Sequence, residues 1–390
     1  LGEYDTAEMK LKEAIRIASL NYAMDHKDYV KSLNVLADII YRRGNSAEAR
    51  EMFLESMELF TQNIHKNFDF LSAREKLEFL SVLKENVYRF NTFAVDYYKQ
   101  DPTIACDLFV YNAFLKGLVL SSTRKIRQFG IKASSGNEIN QTYRDWINTK
   151  EYLANLHTLT KKELEKRGIN IDSVEQIAVS LEKGLTRESA ISTGQMDNQV
   201  PSWREVRQNL GKQEAFVQII RYPEADSLVY VALMIKSNSN HPKIITINRG
   251  KTYENEDYND YISRIASGYK IAEPYNDTTA FSNYWGKIEN LVQGYRTIYL
   301  LPDGVYNKIN ISALMIPGGR FVYENHNVVL LTSTEEFIAQ KQNIKSGNEV
   351  AVIIGDPDFS NVPEDEIRLA SNEYMNSKTH LKFSNLRSDS

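Results

Sequence analysis

The chain has 390 residues, enough for two or three domains, with 42% hydrophobic and 25% charged residues, ordinary values for a globular protein. Its net charge of −4 implies no general attraction to nucleic acid, and no apolar run approaches the roughly 18 residues needed to cross a bilayer. The single cysteine, Cys106, excludes an intrachain disulfide and fits a reducing cytoplasm, the expected compartment. No signal peptide is apparent and the first residue is Leu1, so the sequence is expected to begin inside a longer polypeptide or to have lost its start.

The first elements repeat. GEYDTA at residues 2–7 and GNSAEA at residues 44–49 place Gly2 against Gly44 and Ala7 against Ala49, 42 residues apart, and each opens a helix. Between them DYVKSLNVLADIIYRRG carries Leu33, Leu36, Ala37 and Ile40 on one helical face, closed by Gly44. Ala37 and Ala49 are small enough to let paired helices approach closely. The pattern resembles the tetratricopeptide repeat in its longer variant of about 42 residues, and about one and a half repeats are visible; a generic helical bundle is the alternative. At least about three stacked units make a stable solenoid, so further repeats are expected before Leu1.

Helices continue to about residue 183. Ser72-Ala-Arg-Glu75 reads as a capping box opening a helix to about Tyr98, with Leu77, Leu80, Leu83, Val87 and Phe90 in helical spacing. Asp101-Pro102 starts the next, through Phe109, Phe114 and Leu118 to about Phe129. Cys106 sits in its apolar pattern as a structural thiol; a nucleophile needs a neighbouring base, and no histidine lies near it in sequence. IKASSGNE at 131–138 is a loop, helices at about 139–167 and 173–183 form a hairpin, and the polar, aperiodic 184–200 is a linker. This organisation gives helical repeats over 1–66, a helical linker and hairpin region over 67–200, and an α/β region over 201–390.

After Trp203 the pattern changes to strands. EAFVQIIRY (214–222) and SLVYVALMIK (227–236), separated by Pro-Glu-Ala-Asp, read as a hairpin, and KIITINR (243–249) as a third strand. Helices follow with Tyr258, Tyr261, Ile262 and Ile265, and over about 278–293 with Phe281, Tyr284, Trp285, Ile288 and Leu291. RTIYLLPDG delivers an apolar strand to a Pro-Asp-Gly corner; a short helix near 311–315 and strands near 320–323 and 327–331 come next. STEEFIAQKQ (333–342) begins with capping chemistry, and EVAVIIGDPDF (349–359) is another β-branched run ending in a turn. Apolar strands alternating with helices predict a largely parallel sheet covered by helices, whose site lies beyond the carboxyl ends of the strands. LLPDG and IIGDPDF are two such ends and carry Asp303, Asp356 and Asp358, although aspartate is also simply a good turn residue. No histidine supports these aspartates, so no metal or cofactor is expected. No G-x-x-x-x-G-K-[ST] or G-x-G-x-x-G occurs, which argues against a nucleotide-dependent enzyme. Tyrosines cluster with Asn and Asp over 253–275, either as a protein-binding surface or as partly exposed helix and loop packing.

Taken in order, several features resemble the caspase-like CHAT family preceded by tetratricopeptide repeats. They are the 42-residue repeats, the long helical region, Ser202-Trp203-Arg204-Glu205-Val206 leading to Gln213-Glu214-Ala215, Leu301-Pro302-Asp303-Gly304 with Asn310-Ile311-Ser312-Ala313-Leu314, Leu331-Thr332-Ser333, and Ile354-Gly355-Asp356-Pro357-Asp358. The resemblance spans nearly the whole chain. It implies a multidomain α plus α/β fold: a tetratricopeptide-like solenoid and helical hairpin, then a caspase-like sheet domain comprising the pseudo-caspase half and the first strand of the active half. It further implies a bacterial cysteine endopeptidase that cleaves a protein partner, linked to defence, with the repeats receiving a protein or peptide effector. The family's catalytic histidine, in a motif like ATHG, and its cysteine, in a motif like SAC-x-TG, are both missing: no cysteine follows Cys106, and His380 is not followed by glycine. No catalytic residue is therefore assigned. Either the polypeptide stops short of them, or the two halves are separate chains, or the protein is a degenerate member. Asp356 and Asp358 would flank the peptidase cleft and favour a basic substrate side chain by charge complementarity. The alternative function is a non-catalytic interaction module or pseudo-protease, with a concave solenoid surface that binds proteins.

Overall fold

Apolar residues at three- and four-residue spacing set the first half of the chain as helices. A computed structural model of the protein describes residues 2–24, 26–68, 71–118, 141–193, 201–268 and 278–342. Helices α1 (Gly2–Asn21), α2 (Lys27–Arg42) and α3 (Ser46–Asn67) pack in succession. Helix α2 buries Leu33, Leu36, Ala37 and Ile40, and it ends at Gly44, whose φ of 92° belongs to the left-handed region that stops a helix at little cost in glycine. Asn45 caps α3 by accepting from the Glu48 amide. Ala37 and Ala49 are fully buried where α2 and α3 pack together, in keeping with their expected role.

Helix α4 (Ala73–Tyr97) opens on the Ser72–Glu75 capping box, with both reciprocal bonds formed. Leu80, Val87 and Phe90 are buried, but Leu77 is 57% exposed: at 100° per residue it has rotated off the stripe set by Val87, Phe90 and Ala94. Helix α5 covers residues 104–118. Helices α6 (Gln141–Leu156), α7 (Lys161–Lys166) and α8 (Ile171–Thr193) correct two expectations. The helix expected over 139–167 breaks at 157–160, because Thr160 and Glu163 make a capping box that starts α7 afresh. The linker expected from 184 is helical to Thr193. Leu185 continues the spacing of Leu181 and is buried beside Trp146, so packing carries the helix through Gly184. The loop at 131–138 and the helix end near Phe129 lie outside the described residues.

Helix α9 (Trp203–Gln208) precedes β1 (Glu214–Glu224), β2 (Ser227–Lys236) and β3 (Lys243–Gly250). Then come α10 (Glu256–Gly268), α11 (Thr279–Tyr284), α12 (Gly286–Val292), β4 (Thr297–Leu301), β5 (Met315–Ile316), β6 (Arg320–Phe321), α13 (Val322–Asn325), β7 (Asn327–Leu330) and α14 (Thr334–Gln342). Five strands form one sheet in the order β3-β2-β1-β4-β7. It is mixed, not largely parallel: β1 with β4 and β4 with β7 are parallel, whereas β1 with β2 and β2 with β3 are antiparallel. The reason is the two-residue turn Ala225-Asp226, which closes Glu224 onto Ser227 and permits only an antiparallel return. The helix expected over 278–293 is two helices meeting at Trp285, and the segment near 320–323 gives a two-residue strand followed by α13.

Alternate residues of the strands enter two cores. Phe216, Ile220, Val231, Leu233, Tyr299 and Leu301 join the core shared with α2–α5, α9 and α14. Val217, Ile219, Ala232, Met234, Ile298 and Leu300 face the core built with α10–α12. Helices thus cover both faces of the sheet. Among the described residues, no helix is long and apolar enough to cross a membrane. The run at 349–359, with Asp356 and Asp358, lies outside the described residues.

Candidate functional site

The Pro302-Asp303-Gly304 corner sits at the carboxyl end of β4, where β1 outlasts its neighbour. Gln218 is the last residue of β1 paired with β4, opposite Leu301. Beyond it, backbone groups of β1 on that side need other partners. Lys116 of α5 supplies one: its ammonium donates to the Ile219 carbonyl and, at 2.9 Å, to the Pro302 carbonyl. Asp303 supplies the other, accepting the Arg221 amide on Oδ2 at 3.2 Å and the Gly304 amide on Oδ1 at 2.9 Å. The two side chains complete the arrangement with an ion pair, Nζ to Oδ2, at 3.4 Å.

A second set of charges backs the first. Arg221 grips the Glu254 carboxylate with Nε at 2.6 Å and Nη2 at 2.9 Å. The Tyr230 hydroxyl donates to the same carboxylate and accepts the Val305 amide at 2.9 Å. Gly304, at φ 53°, passes so close to this hydroxyl that an added Cβ would lie 2.0 Å from Tyr230 Oη. The position requires glycine on both counts.

Lys116 is only 14% exposed. Burial lowers the pKa of its ammonium, opposed by the Asp303 carboxylate. The hydrogen bond to Glu254 raises the Arg221 guanidinium further above its ordinary value, and the same pairing with Arg221 holds Glu254 below the usual carboxylate range. Burial drives Tyr230 upward. Each ionised group here meets a partner of opposite charge or a fixed backbone group. The cluster holds geometry at a strand end and joins α5 to the sheet; it contains no group free to accept a proton from a substrate.

Asp303 stands at this strand end as the sequence placed it, and it is also a turn residue, capping the 3-10 turn Gly304–Asn307. Lys116, Arg221, Tyr230 and Glu254 escaped sequence reasoning, because Lys116 meets partners 103 and 186 residues away. Their one local signal is a lone cation in an otherwise apolar stretch: Lys116 in NAFLKGLVL and Arg221 in FVQIIRY. Asp356 and Asp358 lie outside the described residues.

Cys106 is half-buried and free, and burial, with Asp107 beside it, pushes its thiol up to about 11. At neutral pH it is a thiol, and the thiolate is the nucleophile. The described imidazoles are engaged elsewhere: His26 caps α2, His65 lies against Phe114, His157 near Glu175, His241 against Tyr98, and His326 on Glu289. Among the described residues, no group of three His, Cys, Asp or Glu side chains converges as a metal site.

The tyrosine-rich stretch is mainly core where it is described. Tyr253 is fully buried and Tyr261 nearly so, in a ring cluster with Tyr230, Tyr284 and Tyr306 whose centroids stand 4.8–6.3 Å apart. The Tyr253 hydroxyl bonds the Tyr306 hydroxyl at 3.1 Å, and Tyr306 donates to the Tyr284 carbonyl at 2.6 Å. On the helical side, a shallow groove of about 500 Å³ runs past Glu8, Met9, Lys12, Glu13, Arg16 and Arg43. Its charges are largely paired among themselves, Lys12 with Glu8 at 2.6 Å and Arg16 with Glu13 at 2.7 Å. No protein-family model and no curated protein matches the chain.

Proposed function

We propose that the chain is the regulatory and scaffolding portion of a caspase-like cysteine endopeptidase of the CHAT type that acts on a protein partner, with a helical layer that receives a protein or peptide effector. The observation that carries this reading is Lys116. A helix of the first half carries a cation inserted at the carboxyl end of the sheet, where it meets Ile219, Pro302 and Asp303. A shift of α5 on effector binding changes the corner that buttresses the peptidase half. The state of Cys106 supports a non-catalytic role, since its thiol is held protonated at neutral pH.

The test is an assay of the 390-residue chain against protein substrates, with hydrogen exchange followed at the Asp303 and Gly304 amides. The expected result is no cleavage, together with a change of exchange at the corner when an effector binds the helices, lost in Lys116→Met. Turnover abolished by Cys106→Ala overturns the reading.

A further inference from the structure

His326 stands at the entry to β7 and is 3% exposed. Both ring nitrogens face acceptors. Nε2 lies 3.1 Å from each oxygen of the Glu289 carboxylate on α12, and Nδ1 lies 2.6 Å from the Tyr295 carbonyl in the turn before β4. The indole of Trp285 fixes Glu289 from its other side, donating to Oε2 at 2.8 Å. The next residue of β7 is anchored to the same turn, with the Asn327 amide donating to the Arg296 carbonyl at 2.7 Å.

A neutral imidazole carries one N–H and one lone pair, so it satisfies only one of these two acceptors. The geometry is complete only for the imidazolium. We propose that His326 is a proton-held pin: as an imidazolium it fastens the start of β7 to α12 and to the turn before β4, and loss of one ring proton with rising pH releases this strand, the last in the described sheet.

Glu289 is the charged side chain bonded to the ring. Other ionisable groups of the surrounding elements include Lys287 of α12, whose ammonium donates to the Ile247 carbonyl at 2.8 Å, Tyr295 and Arg296 of the turn, Lys236 of β2, over the Tyr295 ring at 4.8 Å, and Glu324 of α13, whose carboxylate accepts from the Phe321 amide. Burial opposes the charged ring, but the bond to Glu289 and that to the Tyr295 carbonyl outweigh it, and the ring's pKa is raised. A group raised in the folded state contributes stability that is fully present below its ordinary value of about 6.5 and lost as pH rises through the folded value.

The test is a titration of the chain with its six histidines labelled with ¹⁵N, the His326 ring being assigned through its own backbone. The expected result is a His326 ring with both nitrogens protonated in most molecules at pH 6.5, titrating above that value and lower in Glu289→Gln. Hydrogen exchange at the Asn327 amide, corrected for the intrinsic rate, is expected to accelerate by about tenfold per pH unit between the two values, a step absent from Glu289→Gln. A His326 ring titrating at or below 6.5, or exchange with the same pH profile in both proteins, overturns the proposal. The titration of the unaltered chain decides it even if the variant fails to fold.

Discussion

Gly304 and Gln218 show how differently single positions are constrained. At Gly304 a methyl group would meet the Tyr230 hydroxyl, and φ is 53°. Gly304→Ala is expected to cost about 3 kcal/mol, the sum of backbone strain and overpacking. Gly44 has φ 92° but open space around it, so Gly44→Ala is expected to cost only about 1 kcal/mol. Urea midpoints of the two variants measure the difference. Gln218 is the reverse case: fully buried in β1 with neither amide atom hydrogen-bonded. An apolar residue of similar size removes an unsatisfied donor and acceptor, so Gln218→Leu is expected to raise stability by about 1 kcal/mol in the same measurement.

The elements legible in the sequence are those whose cause is local. The capping box at Ser72 needs only four residues, Ser72 to Glu75, and it forms. The hairpin of β1 and β2 follows from two β-rich runs and a short turn. What escaped depends on distant partners. The continuation of α8 past residue 183 goes with Leu185 meeting Trp146 across the hairpin, and the polar composition after residue 183 hides it. Leu185→Ala is accordingly expected to cost about 3 kcal/mol and to lower the helical circular dichroism signal; a linker residue would cost nothing. A largely parallel sheet is expected from the sequence because the alternation of strands and helices after residue 250 outweighs the hairpin of β1 and β2, to which β3 adds a second antiparallel pair. At the candidate site Asp303 was readable as a turn aspartate, whereas Lys116 and Glu254, with no sequence motif between them, were not.

Across the whole molecule, one core runs from α2 to α14, with Phe109 packed edge-on to Phe216 and Phe216 to Phe337. The helical layer and the sheet therefore share their apolar interior, and Lys116 is one polar tie between them, beside the Arg249–Asp96 ion pair at 3.8 Å. Lys116→Met leaves the Ile219 and Pro302 carbonyls and the Asp303 carboxylate without it and is expected to cost about 3 kcal/mol. Combined with Asp303→Asn, the loss is expected to fall short of the sum, which a double-mutant cycle of denaturation energies measures. The way β1 finishes has a further consequence for the protein in a crowded solution. Past Leu301, the Ile219 oxygen and the Arg221 nitrogen are already taken by side chains, and two residues on, Pro223 has no N–H to offer. A stray extended peptide finds no template for annealing along this rim, which guards the sheet against fibril-like association at this border.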